Sequence, residues 1–139
     1  MDRVNINFIN ALFGAVFAYL SISIIGYGAA IAIPASILSP VVEVSPSFAF
    51  AAIDVLTLGV PLAIAYAVFV QLSKLIKTND SRVSCAILSV PFFILHFYFF
   101  VIAFPSSGIG FYFVTTLPKY ILIGACVLYC SKQRRHKKA

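Results

Sequence analysis

The sequence predicts an all-α membrane protein, a bundle of four transmembrane helices with its N-terminus and C-terminus both cytoplasmic. Three observations lead to this prediction: the composition, four long apolar runs and the distribution of positive charge. Of the 139 residues, 62% are hydrophobic and 10% are charged, whereas about 25% of residues are charged in a typical soluble domain. A soluble domain of this length has too little interior to bury so much apolar surface. The predicted solvent is therefore lipid.

Four apolar runs fit four membrane-spanning helices. A hydrocarbon core about 30 Å thick requires about 20 apolar residues in a helix, and transmembrane β-strands are only about 10 residues long and alternate apolar with polar residues. The first run is longer than the apolar part of a cleavable signal peptide. We therefore predict a single domain over residues 1–139 with a tail at 131–139 and helices at about 8–33, 48–73, 83–104 and 109–130.

Positive charge marks alternate ends of the predicted helices. Arg3 precedes the first helix, and neither 34–47 nor 105–108 contains Lys or Arg. The other basic residues outside the predicted helices lie between the second and third or after the fourth: Lys74, Lys77, Arg82, Lys132, Arg134, Arg135, Lys137 and Lys138. Because cytoplasmic segments carry the excess of Lys and Arg, this pattern predicts cytoplasmic termini in a bacterial inner membrane.

The basic tail is interpreted as an anchor of this topology or as a contact for anionic lipid headgroups. Each Lys or Arg near an anionic surface contributes about 1 kcal/mol of attraction. The relevant residues are Lys132, Arg134, Arg135, Lys137 and Lys138. The predicted partner of this tail is the lipid bilayer, and no nucleic acid is predicted.

The segment 34–47 joins the first two predicted helices. Its prolines at 34, 40 and 46 are expected to break any helix and to favour extended backbone. Its aliphatic residues are too numerous for a freely hydrated loop. We expect the segment to lie along the membrane interface or against the bundle, with Glu43 facing water.

Three ionisable residues, Asp54, His96 and Lys119, lie inside predicted helices. A charge near the centre of a transmembrane helix costs about 2.5–3.5 kcal/mol on insertion scales, which disfavours a lipid-facing position. At 1.5 Å per residue from the non-cytoplasmic ends, their depths are about 9, 12 and 15 Å respectively. All three polar groups are therefore predicted to meet at one level in the outer half of the bilayer.

Helical phase places small or polar residues on one side of each predicted helix, which predicts a bundle with a polar seam. The stripes are Asn10, Gly14, Ala18, Ser21 and Gly28; Ser47, Asp54, Thr57, Pro61 and Ala65; Cys85, Ser89, His96 and Ala103; and Tyr112, Thr115, Lys119, Cys126 and Cys130. Small residues allow close helix approach in lipid, so Gly14, Ala18, Ser21 and Gly28 are the predicted packing residues. The predicted polar site comprises Asp54, His96 and Lys119 with Thr57, Ser89, Thr115 and Tyr112.

Three prolines fall inside predicted helices. Pro61, Pro91 and Pro118 each remove a backbone hydrogen bond and are predicted to kink their helices. Membrane helices tolerate this where neighbours, hydroxyls or water satisfy the freed carbonyls. Pro61 follows Asp54 by two turns, and Pro118 adjoins Lys119, so two of the predicted kinks accompany the polar site.

The ionisable residues allow three interpretations. In the first, Asp54 and Lys119 pair in a hydrated site and His96 exchanges protons for binding or transport. In the second, the pair only fixes helix order, with a neutral His96 hydrogen-bonded to Ser89 or Tyr112. In the third, Asp54 or Lys119 pairs with a charge on another subunit.

Function is predicted from these features together. Cys85, Cys126 and Cys130 are interpreted as small apolar fillers, and no metal or cofactor is predicted. Ser89 and His96 are the only candidate nucleophile and base, and they lie two turns apart, about 10 Å between backbones, so catalysis is not predicted.

The leading prediction is a non-catalytic accessory, binding or immunity-type subunit of a larger membrane assembly, with a membrane protein or a second copy as partner. The alternative is a small oligomeric proton-linked transporter or channel that uses the Asp/His/Lys site.

Overall fold

The computed structural model describes residues 3–31, 33–75, 81–103 and 109–132, which contain helices and no strand. The elements are α1 (Arg3–Ala29), α2 (Ala35–Val44), α3 (Pro46–Asp54), a π-helical segment (Val55–Gly59), α4 (Val60–Leu75), α5 (Ser81–Ala103) and α6 (Ile109–Lys132). Four stretches are long and apolar enough to cross a membrane: Asn5–Gly28, Pro46–Leu75, Arg82–Ile102 and Phe113–Lys132. The prediction of an all-helical chain with four candidate spans is confirmed, and it indicates an integral membrane protein.

The predicted end of the first helix was four residues too late. Beyond Ala29 the hydrogen bonds tighten, since the Ala30 amide donates to the Tyr27 carbonyl at 3.1 Å and the Ile31 amide to the Gly28 carbonyl at 3.2 Å. Pro34 follows and disfavours helical backbone in the residue before it. The first helix therefore ends before its apolar run does. The prediction placed the end too late because hydrophobicity alone does not mark where a helix ends.

The expectation of extended backbone in 34–47 was wrong, because α2 is a helix that contains Pro40. Pro34 precedes the helix and its carbonyl accepts from the Ile37 and Leu38 amides at 3.0 and 3.1 Å. Pro40 has no N–H and therefore removes one hydrogen bond within the helix. In a short, exposed helix the carbonyl that loses this bond can accept one from solvent instead. The third proline, Pro46, begins α3, where a missing N–H costs nothing.

The four long helices form a bundle in which α1 and α6 each pack against two others, and α4 and α5 also contact each other across the centre. The α1 helix packs against α4 and α5, and α6 packs against α5 and the continuous α3–π–α4 helix. Lys74, Arg82 and Lys132 lie near helix ends on one side of the bundle, called the basic end here. The opposite side, called the α2 end, carries α2. The largest fully buried side chains, Phe17, Leu62, Tyr66, Leu88, Phe92 and Ile123, fill the centre.

The π-helical segment shifts the second span relative to its predicted phase. The buried residues of this span include Leu58, Leu62 and Tyr66, each of which lies one position after a residue of the predicted stripe. The predicted stripe residues Ser47, Asp54, Thr57, Pro61 and Ala65 are half-buried. A π turn holds one more residue than an α turn, so a constant α-helical period could not place this face correctly.

Small residues let α1 approach two backbones closely. A Cβ at Gly14 would lie 2.6 Å from the Leu88 carbonyl oxygen, and a Cβ at Gly28 would lie 2.6 Å from the Thr57 carbonyl oxygen. Ala18 and Ser21 are also buried on this side. The small-residue stripe of the first helix therefore faces α5 and the π-helical segment.

Candidate functional site

An ion pair joins α6 to the last residue of α3. The Lys119 Nζ donates to Asp54 Oδ2 at 2.8 Å. Side chains on a helix lean toward its N-terminus, and the N-terminus of α6 is at the α2 end, so the Lys119 stem extends toward Asp54. The structure thus brings together two of the three predicted ionisable residues.

Gly59 allows Lys119 to lie close to the π-helical segment. A Cβ at Gly59 would be 3.2 Å from the Lys119 Cβ and 3.4 Å from its Cα. Any side chain at position 59 would therefore be in tight contact with the Cβ of Lys119, the residue that forms the ion pair. Gly59 was not singled out in the sequence, and its position two residues before Pro61 is the signal that could have marked it.

The two members of the pair differ in exposure. The Lys119 side chain is 11% exposed, whereas that of Asp54 is 31% exposed. Within the described ranges, Lys119 is the only hydrogen-bond partner of the Asp54 side chain, and it uses Oδ2. The ammonium is thus enclosed by the bundle, while part of the carboxylate reaches the bundle surface with its Oδ1 available.

His96 is in a separate cluster that links three helices. Its Nε2 lies 2.9 Å from Ser21 Oγ on α1, and its Nδ1 lies 3.0 Å from the Tyr120 hydroxyl on α6. The imidazole is 3% exposed. His96 therefore holds α5 between α1 and α6 by polar contacts on both ring nitrogens.

The direction of these bonds follows from the hydrogens available. The Ser21 hydroxyl donates its one hydrogen to the Ala18 carbonyl at 2.6 Å, so Ser21 Oγ accepts from His96 Nε2–H. A neutral imidazole has a single N–H, so Nδ1 accepts from the Tyr120 hydroxyl. The hydrogen-bond chain thus runs in one direction, Tyr120 to His96 to Ser21 to the Ala18 carbonyl.

Aromatic packing holds the imidazole in place. The Phe92 ring lies 4.0 Å from the His96 ring, centroid to centroid, at 30° between planes, and Phe17 stacks on Phe92 at 5.1 Å. Tyr66 meets the other side of Phe17 at 5.6 Å. Rotation of the imidazole out of its two hydrogen bonds would disrupt this row of rings.

The structure changes the predicted partners of His96. The Ser89 hydroxyl is not one of them, since it donates to the Ala86 carbonyl at 3.0 Å in its own helix. The Tyr112 side chain lies outside the described residues. Tyr120 was missed because it neighbours Lys119 in sequence but points about 100° away around the helix. Ser21 was recognised only as a packing residue.

The other predicted residues have mainly local roles. The Thr57 hydroxyl donates to the Ile53 carbonyl at 2.9 Å, and Thr115 is buried in α6. Pro61, Pro91 and Pro118 are half-buried within helical backbone. Lys132 is exposed at the basic end, and the remaining tail residues Arg134, Arg135, Lys137 and Lys138 lie outside the described ranges.

The cysteines occur as free thiols. Cys85 and Cys130 are buried, and Cys126 is half-buried, with its thiol 3.7 Å from the Ala63 carbonyl oxygen. In the part of the chain that the structure describes, no three His, Cys, Asp or Glu residues come together as metal ligands.

A second polar contact lies toward the basic end. The Ser73 hydroxyl donates to Asn10 Oδ1 at 2.5 Å, joining α4 to α1. The Asn10 Nδ2 is buried and has no hydrogen-bond partner among the residues described. Asn10 was placed on the inward stripe of α1, but its partner Ser73 was predicted only as the end of an apolar run.

An apolar groove opens between α5 and α6. Its volume is about 530 Å³ and its lining residues are Phe93, Ile94, His96, Phe97, Phe100, Leu117 and Tyr120. His96 and Tyr120 are bonded to each other at its floor. The surface that the groove offers is therefore almost entirely hydrocarbon and aromatic.

In the described residues, fold and site define a helical bundle with four candidate membrane spans, an ion pair at the bundle surface and a buried histidine chain. Comparisons with protein-family models, with curated proteins and with solved structures found no match.

Proposed function

We propose that this protein is a non-catalytic subunit that binds another membrane protein within the bilayer. The observation that carries the proposal is the partial exposure of the Asp54 side chain within an apolar membrane-spanning stretch. A single chain leaves this carboxylate partly exposed at its surface, and a bound partner supplies a second hydrogen-bond donor or a positive charge.

The depth of Asp54 supports this proposal. The span Pro46–Leu75 has 30 residues, or about 45 Å at 1.5 Å per residue. The hydrocarbon core is about 30 Å thick. If the span is centred in the membrane, Asp54 lies about 5 Å inside the hydrocarbon boundary.

An exposed carboxylate at this depth is unfavourable in lipid. Its Oδ2 is bonded to Lys119, and its Oδ1 can accept a further hydrogen bond. Ser, Thr, Asn and Gln side chains form such bonds between membrane helices, and Lys or Arg would form a second ion pair. The partner is therefore a helix with a hydrogen-bond donor or a positive charge at the level of Asp54.

Charge distribution supports an orientation for this assembly. Lys74, Arg82 and Lys132 lie at the basic end, and the positive-inside rule favours the cytoplasm for that end. The α2 end and Asp54 then belong to the outer half of a bacterial inner membrane. The partner contact lies in that outer half.

The test is the native mass of the protein after gentle detergent extraction from its own membrane. We expect a complex much heavier than the 15.1 kDa chain, with a second membrane protein identified in it. The double variant Asp54→Leu with Lys119→Met removes both charges and the acceptor oxygens of Asp54, and we expect it to lose the complex.

The matched control is Glu43→Gln, which neutralises an exposed carboxylate in α2 and should leave the complex intact. A wild-type chain that elutes as a monomer, or a double variant that retains the complex, would contradict the proposal. A complex that contains only copies of this chain would identify the partner as a second copy.

A proton-linked transporter is a second candidate, favoured by one observation. The Tyr120–His96–Ser21 chain is a directed row of exchangeable protons between three helices. This candidate predicts pH-dependent flux in reconstituted vesicles, abolished by Asp54→Asn and altered by His96→Ala. Flux that neither change affects would remove it.

A further inference from the structure

The α2 helix has three distinct faces. Its half-buried residues Leu38 and Val42 belong to the side on which α2 packs against α3. An exposed apolar face carries Ile37, Val41 and Val44, and an exposed polar face carries Ser36, Ser39 and Glu43. At 3.6 residues per turn these faces lie about 120° apart.

Packing within the chain does not account for the apolar face. No residue of α2 is buried, and Ile37 is 63% and Val44 88% exposed. Exposure of apolar area to water costs about 25 cal/mol per Å². Separate apolar and polar faces, with Ile37, Val41 and Val44 on one and Ser36, Ser39 and Glu43 on the other, are typical of a helix at a boundary between an apolar and an aqueous phase.

The position of α2 identifies that boundary. The helix connects the first two spans at the α2 end, where Tyr27 near the end of α1 and Phe48 near the start of α3 are both exposed. Tyrosine is enriched at the level where the membrane meets water. The end of α1 from which the chain passes to α2 therefore belongs to the interface.

We infer that α2 lies in the plane of the membrane interface and binds the lipid surface through Ile37, Val41 and Val44. Ser36, Ser39 and Glu43 face water. The segment 34–47 has no Lys or Arg, so the attraction is apolar and does not require anionic lipid. This inference is independent of the proposed partner at Asp54, because it concerns a different helix and a different ligand.

The chain itself allows a direct test, because it contains no tryptophan. A single tryptophan introduced into α2 would report its own environment by fluorescence. Two pairs of adjacent positions serve as matched variants: Ile37→Trp against Ser36→Trp, and Val44→Trp against Glu43→Trp. The full-length protein is purified and reconstituted into phosphatidylcholine vesicles, so that no other protein is present.

We expect blue-shifted emission at positions 37 and 44, with quenching by lipids brominated near the headgroup that is several-fold stronger than at 36 and 43. Aqueous iodide should show the reverse order. Emission at 37 and 44 that iodide quenches as strongly as at 36 and 43 would overturn the inference. Protection of position 37 in native membranes but not in these vesicles would also overturn it, in favour of a protein that covers α2.

If one variant of a pair fails to fold, the other pair makes the same comparison. Vesicles with added phosphatidylglycerol provide a further arm. Equal quenching with and without this anionic lipid is expected, and quenching that requires it would overturn the apolar mechanism.

Discussion

The Lys119–Asp54 pair and the Tyr120–His96–Ser21 chain begin at adjacent residues of α6. They differ in how far their polar groups are enclosed and hydrogen-bonded within the bundle. Every hydrogen in the histidine chain has an acceptor inside the bundle, and His96 is enclosed. The ion pair encloses the ammonium and leaves part of the carboxylate at the surface. A polar group satisfied within one chain stabilises that chain, whereas the partly exposed carboxylate is the group to which we propose that a partner binds.

The energies expected of the two clusters differ accordingly. Removal of one member of a buried ion pair costs about 3–5 kcal/mol because the other charge is left uncompensated. Hydrogen bonds between membrane helices average only about 0.6 kcal/mol. Substitutions in the ion pair should therefore have larger effects than substitutions in the histidine chain.

The largest expected effect is that of Lys119→Met. It leaves the Asp54 carboxylate without its ammonium, and we expect a loss of about 3 kcal/mol in the free energy of unfolding, at the lower end for a buried pair because Asp54 is partly exposed. Unfolding by SDS in mixed micelles would measure it. The double variant Asp54→Asn with Lys119→Gln should recover most of this loss; if Lys119→Met is as stable as the wild type, the pair does not hold α6 to α3.

Gly14→Ala is expected to follow, with a loss of about 1–3 kcal/mol from overpacking. The new Cβ would lie 2.6 Å from the Leu88 carbonyl oxygen, so α1 would move away from α5 and strain the Ser21–His96 bond. The control Gly26→Ala lies in the same helix with no atom within 4 Å of its Cβ. Equal losses in the two variants would show that helix packing at Gly14 is not the cause.

His96→Phe is expected to cost about 1–3 kcal/mol, the range for a buried polar group left unsatisfied. Phenylalanine can still stack on Phe92, but the two hydrogen bonds of the imidazole, to Ser21 Oγ and to the Tyr120 hydroxyl, are lost. Thermal unfolding in detergent would measure the loss. The native mass of the complex should remain that of the wild type, and loss of the complex in this variant would mean that the histidine chain takes part in partner binding.

Tyr120→Phe should have the smallest effect, about 0.6 kcal/mol, since one hydrogen bond between helices is removed. It leaves the aromatic ring against His96, so packing is unchanged. The same unfolding assay applies, with Ser89→Ala as a control that removes only a bond within α5. A loss as large as that of Lys119→Met would reverse the order of the two clusters.

Regular helix geometry explains which features could be predicted. The level at which Asp54 and Lys119 meet follows from counting 1.5 Å per residue along two uninterrupted apolar runs. The inward side of α1 follows from the spacing of Gly14, Ala18 and Ser21. These predictions need only a constant rise and a constant rotation per residue.

The features that the sequence did not predict lie where helix geometry is irregular, or where several side chains could form the same hydrogen bond. The π-helical segment adds a residue that hydropathy does not reveal, and α2 forms despite Pro40 because an exposed short helix can lose one hydrogen bond. His96 had several hydroxyls within reach in the sequence, and the choice of Tyr120 and Ser21 over Ser89 depends on how the helices cross. Helix crossing is set by close contacts such as that of Gly14 with Leu88, which a single sequence does not specify.

The π-helical segment keeps Asp54 on the side of Lys119 although the second span contains one residue more than a regular helix would place there. Deletion of one residue within Val55–Gly59 would allow this turn to become α-helical without rotating the half of the span before it. If the turn became α-helical with all five residues retained, that half would rotate by about 100° relative to α4, and Asp54 would point away from Lys119. The direction of the carboxylate thus depends on the form of one helical turn as well as on its own position in the sequence.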